Sequence, residues 1–288
     1  MQENRNRKLK SFNFDITYRC QLRCRHCYNC SGSQDFGVRE LDDMEAYEMM
    51  RDVMKLAPET VWICGGEPLL RIDLIYKILS MMPESGMCHM LTNGWGMTDA
   101  IAETLKEKGI GTVQLSLDGA KPYTHNWMRK NPMAFDHAIC AIHILKEHGI
   151  HTSVACTPYK KNFPEMNDII DLCLLHQVDE LKFQTMRRLG RAQDITDEFL
   201  TADQYQSLSK IVEKRKDEAA KSGLTLAWGD SNTHVSKLKQ GRITEDINVS
   251  AYGELLLSPY LPSHLVMCVS IQSANICCKD LPIWEEMN

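Results

Sequence analysis

The stretch FNFDITYRCQLRCRHCYNCSG, residues 12–32, joins a strand-like apolar run to a group of closely spaced cysteines. Cys20, Cys24 and Cys27 have the spacing C-x3-C-x2-C within eight residues. Polar residues, among them Arg23 and His26, alternate with them, so three buried structural thiols are a poor explanation of the pattern. The rest of the sequence has to explain what three thiolates, and not four, would hold.

The composition of the chain limits the classes of protein to consider. The 288 residues are 43% apolar and 25% charged, with a net charge of −5, which suits one large globular domain or a barrel with an appendage. The absence of a broad basic excess argues against nucleic acid as a partner. No apolar run is long enough for a membrane span and no signal peptide is recognisable, so we predict a cytoplasmic protein without a membrane partner.

Twelve cysteines are unusual for a chain in a reducing compartment. Disulfides are not expected there. Metal binding, cluster binding or thiol chemistry therefore explains at least some of these cysteines better.

Strand-like runs alternate with amphipathic helical patterns along the first two thirds of the chain. The strand-like runs are residues 12–17, 60–65, 87–92, 111–119, 150–157 and 180–186. The helical patterns include residues 41–56, 98–108, 134–148, 164–176 and 201–222. This alternation predicts parallel βα units in an α/β fold. Six units are too few for a closed eight-fold barrel, and they suit an open partial barrel or a doubly wound sheet.

Of these two architectures we expect the partial (β/α)6 TIM-like barrel, extending over residues 12–223. Residues 1–11 are predicted to be an N-terminal tail. A strand-like run at 224–229 and a hairpin at 247–260, turning at Tyr252 and Gly253, predict a small C-terminal α/β extension over residues 224–288.

Distinctive short motifs follow the predicted strands. The cysteine stretch follows the first strand, GGEP (65–68) the second and TNG (92–94) the third, while SLDG (116–119) ends the fourth. Because parallel strands end at one edge of their sheet, these motifs are expected to meet there and form the site.

Two kinds of inorganic site explain the cysteine spacing. Zinc would need a fourth ligand such as His26 or Cys30, usually in two separated pairs. An iron–sulfur cubane held by three thiolates instead leaves one iron open to bind a small molecule. A fourth cysteine ligand would close that iron, so we expect Cys30 to point away.

The cysteine spacing followed by Tyr28, with GGEP, LTNG and SLDG at successive strand ends, resembles the radical S-adenosylmethionine (SAM) enzymes over residues 12–200. Residues 121–150, 157–173 and 187–192 resemble the peptide- and protein-modifying branch with a C-terminal SPASM extension. The resemblance implies that Cys20, Cys24 and Cys27 bind one site-differentiated [4Fe-4S] cluster. It also implies S-adenosyl-L-methionine contacts from the following residues: Tyr28, Gly65, Gly66, Glu67, Pro68, Asn93, Ser116, Asp118 and Arg187.

The activity implied by this resemblance is reductive cleavage of SAM to methionine and a 5′-deoxyadenosyl radical, which removes hydrogen from a C–H bond. The first expectation is an oxygen-sensitive enzyme that epimerises, crosslinks or dehydrogenates a ribosomally made peptide or small protein. The alternative is a small-molecule or cofactor precursor as substrate. A non-catalytic iron–sulfur or zinc protein is the alternative from another class.

The partners implied by the resemblance are an external one-electron reductant of the flavodoxin or ferredoxin type and a separate peptide-recognition protein. The latter is expected because no long N-terminal extension is seen before the first strand.

The C-terminal region departs from the SPASM pattern. Ser258 stands where that branch has a cysteine, and no cysteine lies between Cys173 and Cys268. A standard auxiliary cluster is therefore not expected, which favours redox-neutral chemistry. Cys268, Cys277 and Cys278 are either reduced, partly buried thiols or catalytic thiols that exchange a hydrogen atom, and a non-standard second site is a further reading.

The remaining cysteines are expected to pack in the interior: Cys64, Cys88, Cys140, Cys156 and Cys173. His125 and Arg129 are assigned with equal weight to the site and to the surface. One of Arg187, Arg188 and Arg191 is expected to pair with the methionine carboxylate, and the other two to be solvated.

Overall fold

The computed structural model describes residues 9–32, 39–229 and 246–256 of the chain. The strands, in chain order, are β1 Ser11–Asp15, β2 Thr60–Cys64, β3 Cys88–Thr92, β4 Thr112–Ser116, β5 His151–Cys156, β6 Glu180–Gln184, β7 Thr225–Gly229, β8 Asp246–Val249 and β9 Leu255–Leu256. The α-helices are α1 Asp43–Met54, α2 Ile72–Leu79, α3 Asp99–Glu107, α4 Pro122–Arg129, α5 Ala134–Glu147, α6 Met166–Leu175 and α7 Ala202–Lys221. Short 3₁₀ segments occupy Pro68–Arg71, Phe163–Glu165 and Gly190–Glu198.

The strands form one sheet in the order β7-β6-β5-β4-β3-β2-β1-β8-β9. Every neighbouring pair from β7 to β8 is parallel, and β9 pairs antiparallel with β8. Within the described residues β7 and β9 are the two edges, so the sheet is open. The predicted α/β architecture, an open partial TIM-like barrel, is confirmed.

The sheet is wider than the six strands predicted for the barrel. Strand β7 continues it beyond β6, and β8 pairs in parallel with β1. The boundary predicted at residue 223 thus falls between α7 and β7, inside one continuous sheet. Alternation within a single strand does not reveal which neighbour the strand will pair with, which is why both strands were assigned to an extension.

The predicted hairpin at residues 247–260 corresponds to β8, β9 and a turn with Gly253 at φ +81°. The remainder of the predicted extension, with Ser258, Cys268, Cys277 and Cys278, lies outside the described residues. No helix within the described ranges is both long and apolar enough to cross a bilayer.

Apolar side chains from strands and helices form one extensive core. Phe12 and Phe14 of β1, Ile63 of β2 and Ile75 and Ile78 of α2 are all fully buried in it. Buried and half-buried residues alternate along β2 and β6, so one face of these strands packs in the core and the other is partly open.

The expectation that five further cysteines pack in this interior is confirmed for three of them. Cys88, Cys156 and Cys173 are buried, and Cys64 is half-buried. Cys140 is exposed, so that prediction was wrong. The helix α5 turns its other face, with Ala138 among its buried residues, toward the core.

Candidate functional site: a three-cysteine loop at the strand ends

The cysteine loop directly follows β1, at the carboxyl edge of the sheet. A backbone hydrogen bond closes the loop, in which the N–H of Gly32 donates to the carbonyl of Tyr18 at 2.8 Å. A second backbone bond joins the Arg25 N–H to the carbonyl of Met128, near the end of α4, at 2.8 Å. The loop is therefore fixed both to the strand from which it leaves and to a helix that follows the fourth strand.

Arg191 holds the loop from the other side. Its Nε donates to the carbonyl of Cys24 at 2.7 Å, and its backbone N–H donates to the carbonyl of Cys27 at 3.0 Å. The preceding Gly190 has φ +52°, and a Cβ atom there would lie 2.4 Å from the Cys27 carbonyl. Glycine is required at this contact because the two backbones approach so closely.

This position of Arg191 corrects part of the sequence interpretation. Of the three arginines after β6, Arg188 is exposed and lies over the ring of Phe199, whereas Arg187 is half-buried. Arg191 was expected either to pair with the methionine carboxylate or to be solvated, but it supports the cysteine loop. The contact links residues far apart in sequence, so a local motif could not reveal it.

The GGEP motif packs against the segment that leads into Cys20. Gly66 donates to the carbonyl of Thr17 at 2.7 Å, and Glu67 donates through its N–H to the carbonyl of Arg19 at 2.9 Å. A Cβ atom on Gly65, which has φ +118°, would lie 2.3 Å from the Thr17 carbonyl. The glycine pair therefore permits close approach to the cysteine-loop segment itself.

The carboxylate of Glu67 is fully buried and accepts three hydrogen bonds. Its Oε1 accepts from the Thr92 hydroxyl at 2.6 Å and from the Leu69 N–H at 3.0 Å, and its Oε2 accepts from the Asn93 N–H at 2.9 Å. Burial raises the pKa of Glu67 to about 7, against the lowering effect of these bonds. Glu67 thus joins the ends of β2 and β3.

Asn93 extends this connection to the first cysteine. Its Oδ1 accepts from the Gln21 side-chain amide at 3.2 Å, and its Nδ2 lies 3.8 Å from the sulfur of Cys20. The backbone N–H of Leu22 also donates to that sulfur, at 3.4 Å. The predicted site residues Glu67, Asn93 and Cys20 are therefore brought together in the structure.

The second cysteine faces a buried ion pair. Nη1 of Arg129 lies 3.6 Å from the sulfur of Cys24, and Nη2 lies 2.6 Å from Oδ2 of Asp118. The same carboxylate oxygen lies 3.1 Å from Nε2 of His26, inside the cysteine loop. Burial raises the pKa of Asp118, but the charges of Arg129 and His26 outweigh it, and the pKa falls well below its usual range.

His125 and Arg129, which the sequence assigned equally to the site and to the surface, are both buried. Neither is a surface residue. Arg129 is 7% exposed and His125 is 1% exposed. Nδ1 of His125 accepts from the backbone N–H of Asp118 at 2.9 Å. Burial, followed by the charge of Arg129, lowers the pKa of His125 to about 3, so this histidine is a neutral structural acceptor.

Burial disfavours the thiolate form of the free cysteines in the loop. Burial raises the pKa of Cys20 to about 12, and it also raises the pKa of Cys27. Thiolates are the ligands of iron–sulfur clusters, and a bound cation deprotonates a coordinating thiol outright. The iron would therefore stabilise the thiolate charges that burial disfavours.

The polar surroundings of the loop also fit a bound cluster and its ligand. Several buried polar atoms here have no hydrogen-bond partner within the described residues, namely Oε1 of Gln21, Nδ1 of His26, Nδ2 of Asn29 and Nε of Arg129. Within the same residues, no group of three His, Cys, Asp or Glu side chains is closed around a single-ion position. In a cubane each thiolate binds a different iron, so the three cysteines need not converge on one ion.

The other residues predicted to contact SAM lie on the same edge of the sheet. Pro68 begins the 3₁₀ segment after Glu67, and Ser116 ends β4. Tyr28 and Cys30 lie in the cysteine loop and are half-buried, and Cys30 has φ +55°. Their predicted roles, including the outward direction of Cys30, stay predictions.

Comparison with known proteins matches this arrangement to one family. The Radical SAM superfamily matches residues 14–173, more than half of the chain, from within β1 to within α6. The chain belongs to the Radical SAM superfamily. Membership classes it with the radical SAM enzymes and implies a [4Fe-4S] cluster and SAM as cofactors. The more specific SPASM-type assignment stays a prediction.

Relatives with named activities are similar to this chain over its larger part. Fe-coproporphyrin III synthase of Methanosarcina barkeri is 29% identical over 70% of this chain and 51% of its own length. Pre-heme d1 synthase of Dinoroseobacter shibae is 29% identical over 62% of this chain and 44% of its own length. AdoMet-dependent heme synthase of Oleidesulfovibrio alaskensis is 26% identical over 68% of this chain and 50% of its own length. The chain thus spans about half the length of these relatives.

Solved structures share the fold at lower sequence identity. Native anSMEcpe with bound AdoMet has a TM-score of 0.72 at 17% identity, over 92% of this chain and 79% of that one. Streptococcus suis SuiB bound to precursor peptide SuiA has a TM-score of 0.68 at 14% identity, over 87% and 60%. These radical SAM structures support the open parallel architecture.

The buried carboxylate of Glu67 predicts a specific pH dependence of stability. Its pKa is raised in the folded chain from 4.5 to about 7, so its contribution to folding is full below pH 4.5 and is lost as the pH rises through 7. The free energy of unfolding of the wild type minus that of the Glu67→Gln variant should fall by about 3 kcal/mol between pH 4 and pH 8. Urea titrations across this range measure the difference.

The exposed Glu103 on α3 provides the matched control. A Glu103→Gln variant controls for the loss of a surface carboxylate and is measured in the same titrations. A difference for Glu67→Gln that is constant with pH would show that Glu67 does not titrate as described.

Proposed function

We propose that this chain is a radical SAM enzyme that acts on a small-molecule cofactor precursor of the tetrapyrrole class. The observation that carries the catalytic part is the three-cysteine loop fixed over the strand ends, with the sulfurs of Cys20 and Cys24 beside donors or charges of the chain. The substrate class is supported by the relatives, since three of them are named as haem or porphyrin-related synthases. This chain aligns with about half the length of each relative. Assigning it their class of substrate is therefore a proposal.

A bound cluster would supply the electron for reductive cleavage of SAM, and the chemistry available would be removal of a hydrogen atom from a substrate C–H bond. The protein residues bind and orient the reactants. Cys20, Cys24 and Cys27 would hold the cluster and leave one iron open for SAM. Glu67 and Asn93 fix the neighbouring strand ends, so that the groups around the cluster would stay in place.

The substrate proposal changes the order of the two expectations drawn from the sequence. Modification of a ribosomally made peptide came first there, and a cofactor precursor was the alternative. The named relatives favour the alternative. The peptide-bound structures are below 25% identity and therefore bear on the fold alone.

The proposed setting is a cytoplasmic one, with an external one-electron reductant of the flavodoxin or ferredoxin type. A separate peptide-recognition protein is not needed for a small substrate. The hydrogen-transfer role of Cys268, Cys277 and Cys278 lies outside the described residues and stays a prediction. Single substitutions of these cysteines that all retain full turnover would contradict it.

Cluster assembly provides the first test. After anaerobic reconstitution the wild-type chain should hold about four irons, little zinc, and form 5′-deoxyadenosine from SAM on reduction. Cys24→Ala should lose most of this iron and all 5′-deoxyadenosine, because two thiolates cannot retain the cubane at the open edge.

Cys140→Ala is the matched control, since Cys140 is an exposed cysteine on α5. It should retain wild-type iron and turnover. Zinc without iron in the wild type, or an unaffected Cys24→Ala variant, would contradict the proposed function.

The substrate class is tested by adding candidate substrates to the reconstituted enzyme. An iron-porphyrin or partly reduced tetrapyrrole with carboxylate side chains should increase 5′-deoxyadenosine formation at least about tenfold over the uncoupled rate and change in mass. Peptide libraries serve as the comparison. Stimulation by peptides and none by tetrapyrroles would reverse the substrate proposal while leaving the radical chemistry intact.

A further inference from the structure

We propose that the positive charge of Arg129 stabilises the reduced state of the cluster. Asp118 positions that charge beside the sulfur of Cys24. This inference rests on the proposed function, because it requires a cluster on the three-cysteine loop. It goes further in assigning an electrostatic task to two residues outside the cysteine motif.

The geometry of Arg129 places two of its nitrogens on two different partners. Nη1 lies 3.6 Å from the sulfur of Cys24, and Nη2 lies 2.6 Å from Oδ2 of Asp118. Arg129 is the last residue of α4, and its side chain is 9% exposed. The planar guanidinium fixes the angle between its two contacts, so the position of Asp118 decides where the charge lies relative to the sulfur.

Asp118 is itself held in place from several directions. Its Oδ1 accepts from the Thr157 N–H, just beyond β5, at 2.9 Å, and its Oδ2 lies 3.1 Å from His26 of the loop. Its backbone carbonyl accepts from Asn162 at 2.7 Å. The carboxylate is fully buried, so neither partner of the ion pair can exchange its contact for water.

The first cysteine has a different environment. The sulfur of Cys20 is contacted by neutral donors, the Leu22 N–H and the Asn93 amide. The sulfur of Cys24 is contacted by a cationic guanidinium. Arg191 brings a further positive charge to the loop, where its Nε donates to the carbonyl of Cys24.

Reduction adds one electron to the cluster and therefore one negative charge. Hydrogen bonds to the sulfurs and the net charge around the site are among the factors that set cluster potentials. A buried positive charge beside one sulfur stabilises the more negative, reduced state, and the low local dielectric strengthens this effect. A negative charge on Asp118 opposes it in part while keeping Arg129 in position.

A purely structural role makes a different prediction. In that case the ion pair would merely fasten α4 and the end of β4 to the cysteine loop. Substitutions would then lower stability or iron content, and they would not shift the reduction equilibrium of the loaded protein in directions that follow the sign of the removed charge.

The test measures the ratio of reduced to oxidised cluster at a fixed solution potential, without SAM, by EPR and visible absorption, with iron counted in each sample. Arg129→Met keeps an apolar stem but removes the charge, and its ratio should fall about tenfold, equivalent to about 59 mV for one electron. Asp118→Asn keeps the shape and an acceptor but removes the negative charge, and its ratio should rise.

Lys146→Met is the matched control. Lys146 pairs with Asp179 at 2.7 Å, and Asp179 accepts from the N–H of Thr152, near the start of β5, at 2.8 Å. A similar but half-buried contact is thus present at the opposite end of the strand, roughly 17 Å along it from Thr157. The ratio of this variant should equal that of the wild type.

Ratios of Arg129→Met and Asp118→Asn that both equal the wild type, or both move in one direction, would overturn the inference. If Arg129→Met fails to load iron, Arg129→Lys takes its place. It retains the charge without the fixed fork, and the expected fall is smaller. An unchanged Arg129→Lys with an unchanged Asp118→Asn overturns the inference equally. A wild-type protein without iron would instead overturn the proposed function.

Discussion

The buried carboxylate of Asp118 is the contact on which the candidate site depends most. It joins the residue after β5, the end of α4 and the cysteine loop through Thr157, Arg129 and His26. A fully buried charge is costly unless it is paired, and removal of one partner leaves the other uncompensated. The three attachments therefore have to form together, and the cysteine loop is fixed when they do.

A second buried carboxylate, that of Glu67, also connects elements around the cysteine loop. Glu67 connects the ends of β2 and β3, and through Asn93 it reaches the surroundings of Cys20. The two carboxylates differ in charge state. Asp118 is kept ionised by neighbouring cations, whereas Glu67 has neutral hydrogen-bond donors and a pKa raised to about 7. The cysteine loop thus lies between one strongly charged contact and one that titrates near neutrality.

Much of the fold followed from the sequence because each βα unit carries its own signal. The predicted strands and helices agree with the structure to within a few residues, and the motifs lie at strand ends as expected. The strand predictions for β1 and β4 extended too far, since the apolar pattern continues beyond the strand ends into Ile16 and Leu117, which are buried in the core. The pairing of β8 with β1 was missed because register between distant strands leaves no local pattern.

The supporting residues of the site were harder to predict than its cysteines. The spacing of Cys20, Cys24 and Cys27 is itself chemical information, whereas the tasks of His26, Arg129 and Arg191 arise from contacts across more than 90 residues of sequence. An arginine that supports a loop and one that binds a carboxylate have the same local sequence signal.

The cysteine loop is proposed to hold a cluster with one iron open to SAM. EPR spectroscopy of the reduced, reconstituted protein, recorded with and without SAM, examines that open iron itself. We expect a [4Fe-4S] signal whose g-values shift when SAM is added, because SAM would bind the iron that lacks a cysteine ligand. An identical spectrum in both samples, with full iron loading, would contradict it.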